Sequence, residues 1–368
     1  MKIAVIGIRG VPANYGGFET CAEHVSKYWA LEGNDVLIYC RKHHYPKQLD
    51  SLNGCKLKYT GSIKIKSLDT LSHTLLSVID LIINERSIHC VHLYNAGNAM
   101  YVPLLRLFGK KVAISVDGIE WKREKWGWLA KSIHKLGEKL AVKYAHKVIV
   151  DNKAVEMYYV EKYGKSTSLI PYGAKIPLAC PKDEELLGKY GLVKQEYFIF
   201  VGRLVPEKGV HNLIDVYRRL NTSYPLVIVG DDVSEYRDEL IQEQGDKIIF
   251  VGYVYGENYE ALLMNSLIYV SASQLEGTSP SLLAAMGAGV CTLVNGIQEN
   301  IYTVEDSGYV FKENDLNNLY KVWSDLLSDR QAIQDMAAKG RQFVLGKYQW
   351  ENISKQYIEL FKDMLRAR

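Results

Sequence analysis

The residues best suited to chemistry are two cations that follow one apolar segment. Residues 197–201 have the composition of a buried strand, and they lead into a loop that carries Arg203 and Lys208 before a helix expected near Val210. Open α/β sheets bind ligands at the carboxyl ends of their strands, so both cations are expected at such an edge. A guanidinium fork and an ammonium group together suit a diphosphate. The alternative is a pair of solvated surface charges.

A glycine pair follows the first predicted strand. Gly16 and Gly17 stand just before a helix expected to start near Phe18, in a loop that contains Pro12 and lacks the GxGxxG spacing of nicotinamide enzymes. Paired glycines let the backbone approach a ligand, and the amides at a helix start favour an anion. A flexible turn is the alternative interpretation of this pair taken alone.

A third segment with suitable chemistry opens a helix in the second half of the chain. Ser279 is suited to the N-cap and Pro280 to the first helical position, so the nearby amides should point into the same crevice as the two cations. Glu276, at the start of the loop, could accept hydrogen bonds from sugar hydroxyls, or it could be a solvated loop carboxylate. The candidate ligand-binding residues are Gly16, Gly17, Arg203, Lys208, Gly277, Thr278, Ser279 and Ser281.

Two series of short apolar strands with helical patterns between them position these loops. This alternation predicts an α/β protein with two doubly wound parallel sheets. Three prolines between positions 171 and 181 predict a hinge there. We therefore expect a domain over residues 1–172, a second over 173–345, and an amphipathic C-terminal helix over 346–368 that is free to pack on the first domain. The predicted strands cover residues 2–7, 36–40, 90–94, 111–116, 147–150, 168–170, 197–201, 226–229, 247–251, 268–271, 291–295 and 308–311.

Composition narrows the class of protein. The chain has 368 residues, and its first 172 carry 25 Lys and Arg against 15 Asp and Glu, whereas the remainder carries 20 against 27. The first half is therefore basic, which suggests an anionic surface or ligand. Six scattered cysteines without a CxxC pair indicate reduced thiols in a cytoplasmic protein rather than a zinc site. No apolar run approaches the ~20 residues of a membrane span, so a soluble or peripheral protein is expected.

A basic stripe stands out in the first half. Lys131, Lys135, Lys139 and Lys143 recur every fourth residue, and the helix that carries them is expected to bury an opposing face that includes Leu136 and Leu140. A solvated basic face is the ordinary interpretation of such a pattern. The more specific interpretation is a surface that binds anionic lipid, to which each cation near the membrane contributes about 1 kcal/mol of attraction. We favour the second because it accounts for the positive charge of this half.

Taken together, these motifs resemble the GT-B glycosyltransferases of family four. The resemblance rests on the glycine pair, the two cations and the E-G-T-S-P-S-L-L-A-A-M run at 276–286, and it extends to I-P-Y-G at 170–173 and Q-W at 349–350. Residues 7–20 and 116–126 look more narrowly like the bacterial rhamnosyltransferase subgroup that builds cell-surface polysaccharides.

The resemblance implies a retaining, metal-independent glycosyltransferase without a cofactor, built of two Rossmann-like domains that face a cleft. Arg203 and Lys208 would bind the donor diphosphate, Glu276 would face the donor sugar, and the glycine pair would approach the phosphates across the cleft. The favoured donor is dTDP-rhamnose, and other nucleotide sugars are alternatives. The acceptor would be a saccharide, free or lipid-linked, at the inner face of the cell membrane.

Two positions depart from the family pattern. Ala284 stands where the family has a second glutamate that holds the ribose hydroxyls. This change suits a deoxyribose donor without a 2′-hydroxyl, and a natural or engineered loss of affinity is the alternative. Asp117 stands where many relatives have a histidine near the reacting carbon. As a catalytic residue beside Glu276 it could orient the acceptor hydroxyl or take its proton, although a turn residue before Gly118 is the structural alternative.

Rival functions share parts of this pattern. A nucleotide-sugar epimerase of the same fold would act on the donor without an acceptor, and a non-catalytic nucleotide-sugar binder is suggested only by Ala284. A nicotinamide dehydrogenase lacks support because its glycine motif is missing. No nucleic-acid partner is expected, since no binding motif accompanies the basic half.

Overall fold

Two compact units make up the chain. One unit comprises Met1–Gly173 with Trp350–Arg368, and the other comprises Ala174–Gln349. Each is a mainly parallel sheet with helices between the strands, which confirms the predicted α/β class. The computed structural model describes residues 1–13, 16–65, 68–116, 118–119, 121, 127–177 and 183–367.

The first unit contains an eight-stranded sheet with the strand order β3-β4-β2-β1-β5-β6-β7-β8. Pairing is parallel throughout except between β3 and β4, a short antiparallel pair that the sequence analysis missed. The strands are β1 (Lys2–Ile6), β2 (Asp35–Arg41), β3 (Ser51–Leu52), β4 (Cys55–Thr60), β5 (Cys90–Tyr94), β6 (Lys111–Val116), β7 (Lys147–Val150) and β8 (Ser168–Leu169). The six strands predicted in this unit are confirmed.

The helices of this unit lie on both faces of its sheet. The chain steps one way from β1 to β2 and the other way from β4 to β5, β6 and β7, so right-handed crossovers put α1 on one face and α2, α3 and α4 on the other. The helices are α1 (Gly17–Leu31), α2 (Asp69–Asn84), α3 (Val102–Leu107), α4 (Trp128–Tyr144), α5 (Lys153–Tyr163) and the C-terminal α14 (Trp350–Arg366), with 3-10 turns at Lys42–His44 and Ala96–Tyr101.

The C-terminal helix α14 packs against α1, as the sequence analysis anticipated. The indole nitrogen of Trp29 donates to the Ser354 carbonyl at 3.2 Å, and the Ser354 hydroxyl donates to the Val25 carbonyl at 3.2 Å. The rings of Tyr357 and Phe361 meet Trp29 edge-on at 5.8 and 5.3 Å between centroids. These side chains are buried, so α14 completes the core on this face of the sheet.

The second unit contains a six-stranded parallel sheet with the order β11-β10-β9-β12-β13-β14. Its strands are β9 (Phe198–Val201), β10 (Leu226–Val229), β11 (Ile248–Gly252), β12 (Ile268–Ser271), β13 (Cys291–Asn295) and β14 (Tyr309–Phe311). Its helices are α6 (Asp183–Lys189), α7 (Val210–Leu220), α8 (Glu235–Ile241), α9 (Gly256–Met264), α10 (Pro280–Gly287), α11 (Gln298–Val304), α12 (Leu316–Leu327) and α13 (Arg330–Lys347). Its core centres on Phe198, whose ring meets the fully buried Trp323 edge-on at 5.0 Å. All six predicted strands of this series are confirmed.

Removing one aromatic anchor of α14 should measurably weaken the first unit. Phe361→Ala deletes a fully buried ring, for which core truncations cost about 3–5 kcal/mol in the free energy of unfolding. Urea denaturation followed by near-ultraviolet circular dichroism measures this loss. Lys355→Ala, an exposed position of the same helix, is the control and should change it by less than about 0.5 kcal/mol. A loss below about 1 kcal/mol for Phe361→Ala would mean that α14 contributes little to this core.

Candidate functional site

The strand order of the second unit defines one crevice at its carboxyl edge. The chain runs outward from β9 through β10 to β11, and then returns to place β12 on the other side of β9. Phe198 and Ile199 of β9 pair with Ile268 and Tyr269 of β12. At such a switch point the loops that follow the two strands diverge, and open α/β sheets bind ligands there. The predicted cations follow β9, and the predicted carboxylate and hydroxyls follow β12.

The loop after β9 is held close to the end of β12. After a 3-10 turn at Pro206–Lys208, Gly209 adopts a φ of 64° and begins α7. A Cβ at Gly209 would lie 2.4 Å from the Ala272 carbonyl oxygen, so only glycine allows this approach. The Gln274 amide donates to the Glu207 carbonyl at 2.9 Å. These contacts bring the loop of Arg203 and Lys208 to the loop of Glu276.

Lys208 and Glu276 form an ion pair in this crevice. Their side chains are only 16% and 10% exposed, so both charges are largely withdrawn from water. Because the residues are 68 positions apart, this contact joins the loops after β9 and β12. Within the described part of the chain, Arg203 has no acidic side chain in ion-pair contact, so its guanidinium retains its capacity for a bidentate anion.

The start of α10 supplies hydroxyls and amides to the same crevice. The Ser279 hydroxyl caps the helix by accepting from the Leu282 amide at 3.5 Å, and Pro280 is the first helical residue, which confirms the predicted cap. The Ser281 hydroxyl lies 3.1 Å from the hydroxyls of both Ser279 and Tyr269. Thr278 and Ser279 are buried. Helix N-termini favour anions, so this end of α10 is a candidate site for one.

Ala284 lies on α10, one turn after Ser281. Residues three apart on a helix share a face, so its methyl group is on the side that carries the Ser281 hydroxyl. The position is half-buried. A longer side chain here would extend along the same helix face as the hydroxyls.

Two tyrosines at the carboxyl end of β11 escaped the sequence analysis. Tyr253 and Tyr255 are largely exposed and stack with a 6.0 Å separation and an interplanar angle of 17°. The Tyr253 hydroxyl donates to the Asp231 carbonyl at 2.8 Å, while the Asp231 carboxylate accepts from Arg237 Nε at 2.7 Å. This hydrogen bond from Arg237 lowers the pKa of Asp231. Exposed aromatic faces at a strand end can stack on a planar base, and two tyrosines flanking a valine after a strand were the available signal.

In the first unit, the glycine pair opens α1 at the end of β1. Gly16 has a φ of 87°, and a Cβ there would lie 2.7 Å from Glu19 Oε2. Glu19 is buried and accepts from the Arg9 amide at 2.8 Å, and burial raises the pKa of its carboxyl above the usual value. A Cβ at Gly17 would lie 3.2 Å from the ring of Tyr172. The pair thus begins α1, close to the start expected near Phe18, and its approach to a ligand stays a prediction. Asp117 lies outside the described residues.

The lysine stripe of α4 is exposed at Lys135, Lys139 and Lys143 and half-buried at Lys131. The expected apolar face is only partly buried: Leu140 packs against the core, whereas Leu136 is 50% exposed. Trp128, at the start of the helix, is 80% exposed. Packing against the Ala96–Tyr101 turn instead buries small and polar positions, because Gly137 permits an approach in which its Cβ would lie 2.1 Å from the Ala96 carbonyl oxygen. The buried positions of the helix are His134, Gly137, Glu138 and Ala141.

One cluster in the described residues has metal-ligand chemistry. His43, His44 and Asp69 present ligand atoms within 4.8 Å of one another. Arg41 Nη1 lies 2.8 Å from Asp69 Oδ2, and the Ser62 hydroxyl donates to Asp69 Oδ1 at 2.5 Å. Burial raises the pKa of the Asp69 carboxyl, but the Ser62 hydrogen bond and the Arg41 charge together bring that pKa below its usual value. A guanidinium so close to the carboxylate opposes a bound cation. A separate question is whether any helix could span a membrane. In the described part of the chain, every helix is too short or too polar to cross a bilayer.

Both halves of the chain match known families. Residues 182–343 match the family described as "Glycosyl transferases group 1", and residues 1–175 match one described as "Domain of unknown function (DUF1972)". A sequence relative is the O-antigen chain mannosyltransferase B of Escherichia coli, 28% identical over 186 residues, which are 48% of this chain and 48% of that protein. The chain spans about half the length of several curated relatives that it matches.

Solved structures match over the whole length. The sucrose-phosphate synthase of Thermosynechococcus elongatus covers 100% of both chains with a TM-score of 0.83 at 20% identity. The Anabaena protein Alr3699/HepE in complex with UDP-glucose covers 99% of this chain and 100% of its own, with a TM-score of 0.81 at 17% identity. At such identities the likeness establishes the fold. The chain has the GT-B glycosyltransferase fold, and its residues 182–343 match the family of glycosyl transferases group 1.

Proposed function

We propose that this protein transfers a sugar from a nucleotide-sugar donor to a saccharide acceptor during polysaccharide synthesis, with retention of configuration and without a metal. The observation that carries the proposal is the Lys208–Glu276 ion pair at the switch point of the second unit, on the loop that also carries Arg203. Relatives with names from lipopolysaccharide and O-antigen synthesis support the class of product.

The crevice is suited to a diphosphate leaving group. Arg203 offers a planar fork, Lys208 an ammonium group, and the start of α10 offers backbone amides near Ser279. Negative charge grows on the diphosphate as its bond to the sugar C1 breaks, and fixed donors that meet this charge stabilise the transition state. These groups take the place that a divalent cation has in other phosphate sites.

Glu276 has a different task from the cations. Before the donor binds, its carboxylate is neutralised by Lys208. When the diphosphate takes up the charge of Lys208, the Glu276 oxygens become acceptors for sugar hydroxyls and for the positive charge that develops at C1. The acceptor oxygen then bonds to C1 on the face that the diphosphate leaves, its proton passes to an oxygen of the departing diphosphate, and Asp117 orients that acceptor hydroxyl.

Rhamnose from dTDP-rhamnose is the donor sugar that we propose. Ala284 supports it, because a methyl group on this face of α10 cannot accept a hydrogen bond from a ribose 2′-hydroxyl, which a thymidine donor lacks. The Tyr253 and Tyr255 rings offer a stacking surface for the base. The named relatives and structures act on or bind several different sugars, so they support the reaction class.

A lipid-linked acceptor at the cytoplasmic membrane face completes the proposal. Lys135, Lys139 and Lys143 are exposed on α4 beside the exposed Trp128 and Leu136. Cations mixed with an aromatic ring and an aliphatic side chain are typical of surfaces that rest on anionic lipid. Such a surface would bring the enzyme to an acceptor that cannot leave the membrane.

Removing either cation should weaken donor binding and turnover. The variants Arg203→Ala and Lys208→Met each lose a charge-assisted hydrogen bond worth about 1.5–3 kcal/mol. Each should therefore raise the Kd of the donor by about tenfold to more than a hundredfold. Calorimetric titration and a transfer assay with a panel of uridine, thymidine and guanosine donors measure both effects. Chelators should leave the transfer rate unchanged.

Two controls belong to this test. Arg218→Ala removes an exposed cation of α7 that pairs with Glu243 on the surface, and it should leave both quantities unchanged. Lys208→Met combined with Glu276→Gln avoids an unpaired buried carboxylate and separates misfolding from lost binding. Intact affinity and turnover in both single variants would refute the proposed site, and donor conversion without an acceptor would indicate an epimerase.

Restoring the family's carboxylate should discriminate between donors. Ala284→Glu should tighten binding of uridine donors by about ten- to a hundredfold, because its carboxylate can accept from a ribose 2′-hydroxyl, and should leave thymidine donors with a smaller gain. Ala284→Gln is the control of similar size. Equal gains for both nucleosides would remove the deoxyribose explanation, and with it the main support for dTDP-rhamnose.

Charge reversal on α4 should detach the protein from anionic vesicles. Replacing Lys131, Lys135, Lys139 and Lys143 by glutamate should abolish binding, and turnover on a soluble acceptor analogue should survive. Binding of the unmodified protein should weaken between 0.1 and 1 M salt, because the Debye length shortens from ~10 Å to ~3 Å. Vesicle sedimentation measures both.

A matched pair of reversals provides the control for this charge effect. Lys139 and Lys143 are exposed on α4, whereas Lys27 and Lys355 are exposed on α1 and α14, at the other face of the sheet. Reversing the first pair should cost more vesicle binding than reversing the second. An equal loss would indicate a diffuse charge effect, and no loss even after all four reversals would return α4 to an ordinary solvated surface.

A further inference from the structure

Helix α2 exposes an apolar stripe. Its members are Leu68, Leu75, Leu76, Ile79 and Ile83, each between 38% and 55% exposed. At 100° per residue they fall within an arc of about 100°, so they form one continuous strip along the helix. Soluble monomers rarely leave so many large apolar side chains together in water.

The buried face of the same helix is the more polar one. His73, Thr74 and Ser77 are fully buried there, together with the apolar Val78 and Leu81. The Thr74 hydroxyl donates to the Thr70 carbonyl at 2.9 Å, and the Ser77 hydroxyl donates to the His73 carbonyl at 2.8 Å, so these hydroxyls are satisfied. A surface helix in water normally has the opposite arrangement. The outward face of α2 is therefore suited to an apolar surrounding.

The polar side chain within the stripe is already hydrogen-bonded, so it would not resist transfer out of water. This side chain is Ser72, in the described helix. Its hydroxyl donates to the Leu68 carbonyl at 2.8 Å and accepts from the Ile63 amide at 2.8 Å. Ile63 and Ile65, just before the helix, are themselves about half exposed. Burying this strip leaves no hydrogen-bonding side chain unsatisfied.

Cations and further apolar groups flank the stripe, and the neighbouring carboxylates of Asp80 and Glu85 are paired with Lys58. Exposed Lys64 precedes the helix and exposed Arg86 follows it. Helices α3 and α4 lie on the same face of the sheet, α2 and α4 both contact the Ala96–Tyr101 turn, and the exposed Leu107 and Phe108 end α3. A partner that is apolar within and anionic at its surface complements this face, and an anionic lipid bilayer has that chemistry.

We propose that the α2 stripe inserts into the interfacial layer of an anionic membrane with the helix axis in the membrane plane. The helix is about 24 Å long, and interfacial helices sink about 5–10 Å into the headgroup and acyl boundary. Insertion adds an apolar contribution to the electrostatic attraction of the α4 lysines. The inference rests on the membrane part of the proposed function and is independent of the donor site.

The test separates the apolar contribution from the electrostatic one. The double variant Ile79→Asn, Ile83→Asn is compared with Leu31→Asn, which alters a highly exposed leucine of α1 on the other face of the sheet. Sedimentation with vesicles of equal phosphatidylglycerol and phosphatidylcholine is measured at 0.1 and 1 M salt. The double variant should lose the salt-resistant binding by about tenfold or more, whereas Leu31→Asn should keep it.

A second measurement does not depend on weakened binding. Ile79→Trp should gain fluorescence that brominated acyl chains quench, relative to the unmodified protein. Unchanged vesicle binding of the double variant, or a bound Ile79→Trp protein without added quenching, would overturn insertion. A dimer that the double variant dissociates while vesicle binding persists would instead assign the stripe to a second copy and also overturn it. Transfer to a soluble acceptor, assayed in parallel, reports failure of the proposed function separately.

Discussion

The close approach of two loops at the switch point of the second sheet is the constraint on which the account depends. Because β12 returns beside β9, the segments after these strands are neighbours although they are far apart in sequence. Gly209 allows the backbones to approach, and the Lys208–Glu276 ion pair joins them. The same contact withdraws a carboxylate and an ammonium from water in a crevice suited to a diphosphate.

An ion pair so placed is poorly explained by stability alone. Largely buried pairs often contribute little net free energy, because desolvation offsets their attraction, whereas removing one partner can cost about 3–5 kcal/mol. The pair is better explained as two charges that neutralise each other until the donor binds. In the proposed reaction an arriving diphosphate would compete for Lys208, and the Glu276 carboxylate that it frees would then face the sugar. Binding of the donor and preparation of the carboxylate would thus be one event.

Much of the fold and part of the candidate site could be predicted from the sequence. Fully buried parallel strands have continuous apolar runs, and the cap formed by Ser279 and Pro280 is local in sequence. The β3–β4 pair was missed because alternate lysines, such as Lys56, make β4 look polar. Periodicity also cannot say which stripe of a helix faces the sheet. On α4 the close approach of Gly137 decided it, and α2 turns its more apolar side outward. The Lys208–Glu276 contact depends on strand order, which no local pattern contains.

The most direct test of the central claim compares two nucleotides that differ by one phosphate. Calorimetric titration of the unmodified protein with the diphosphate and the monophosphate of the same nucleoside isolates the contribution of the second phosphate. If Arg203 and Lys208 hold the diphosphate, the diphosphate should bind about a hundredfold more tightly, as expected for charge-assisted hydrogen bonds worth about 1.5–3 kcal/mol each. Equal dissociation constants for the two ligands would contradict the account.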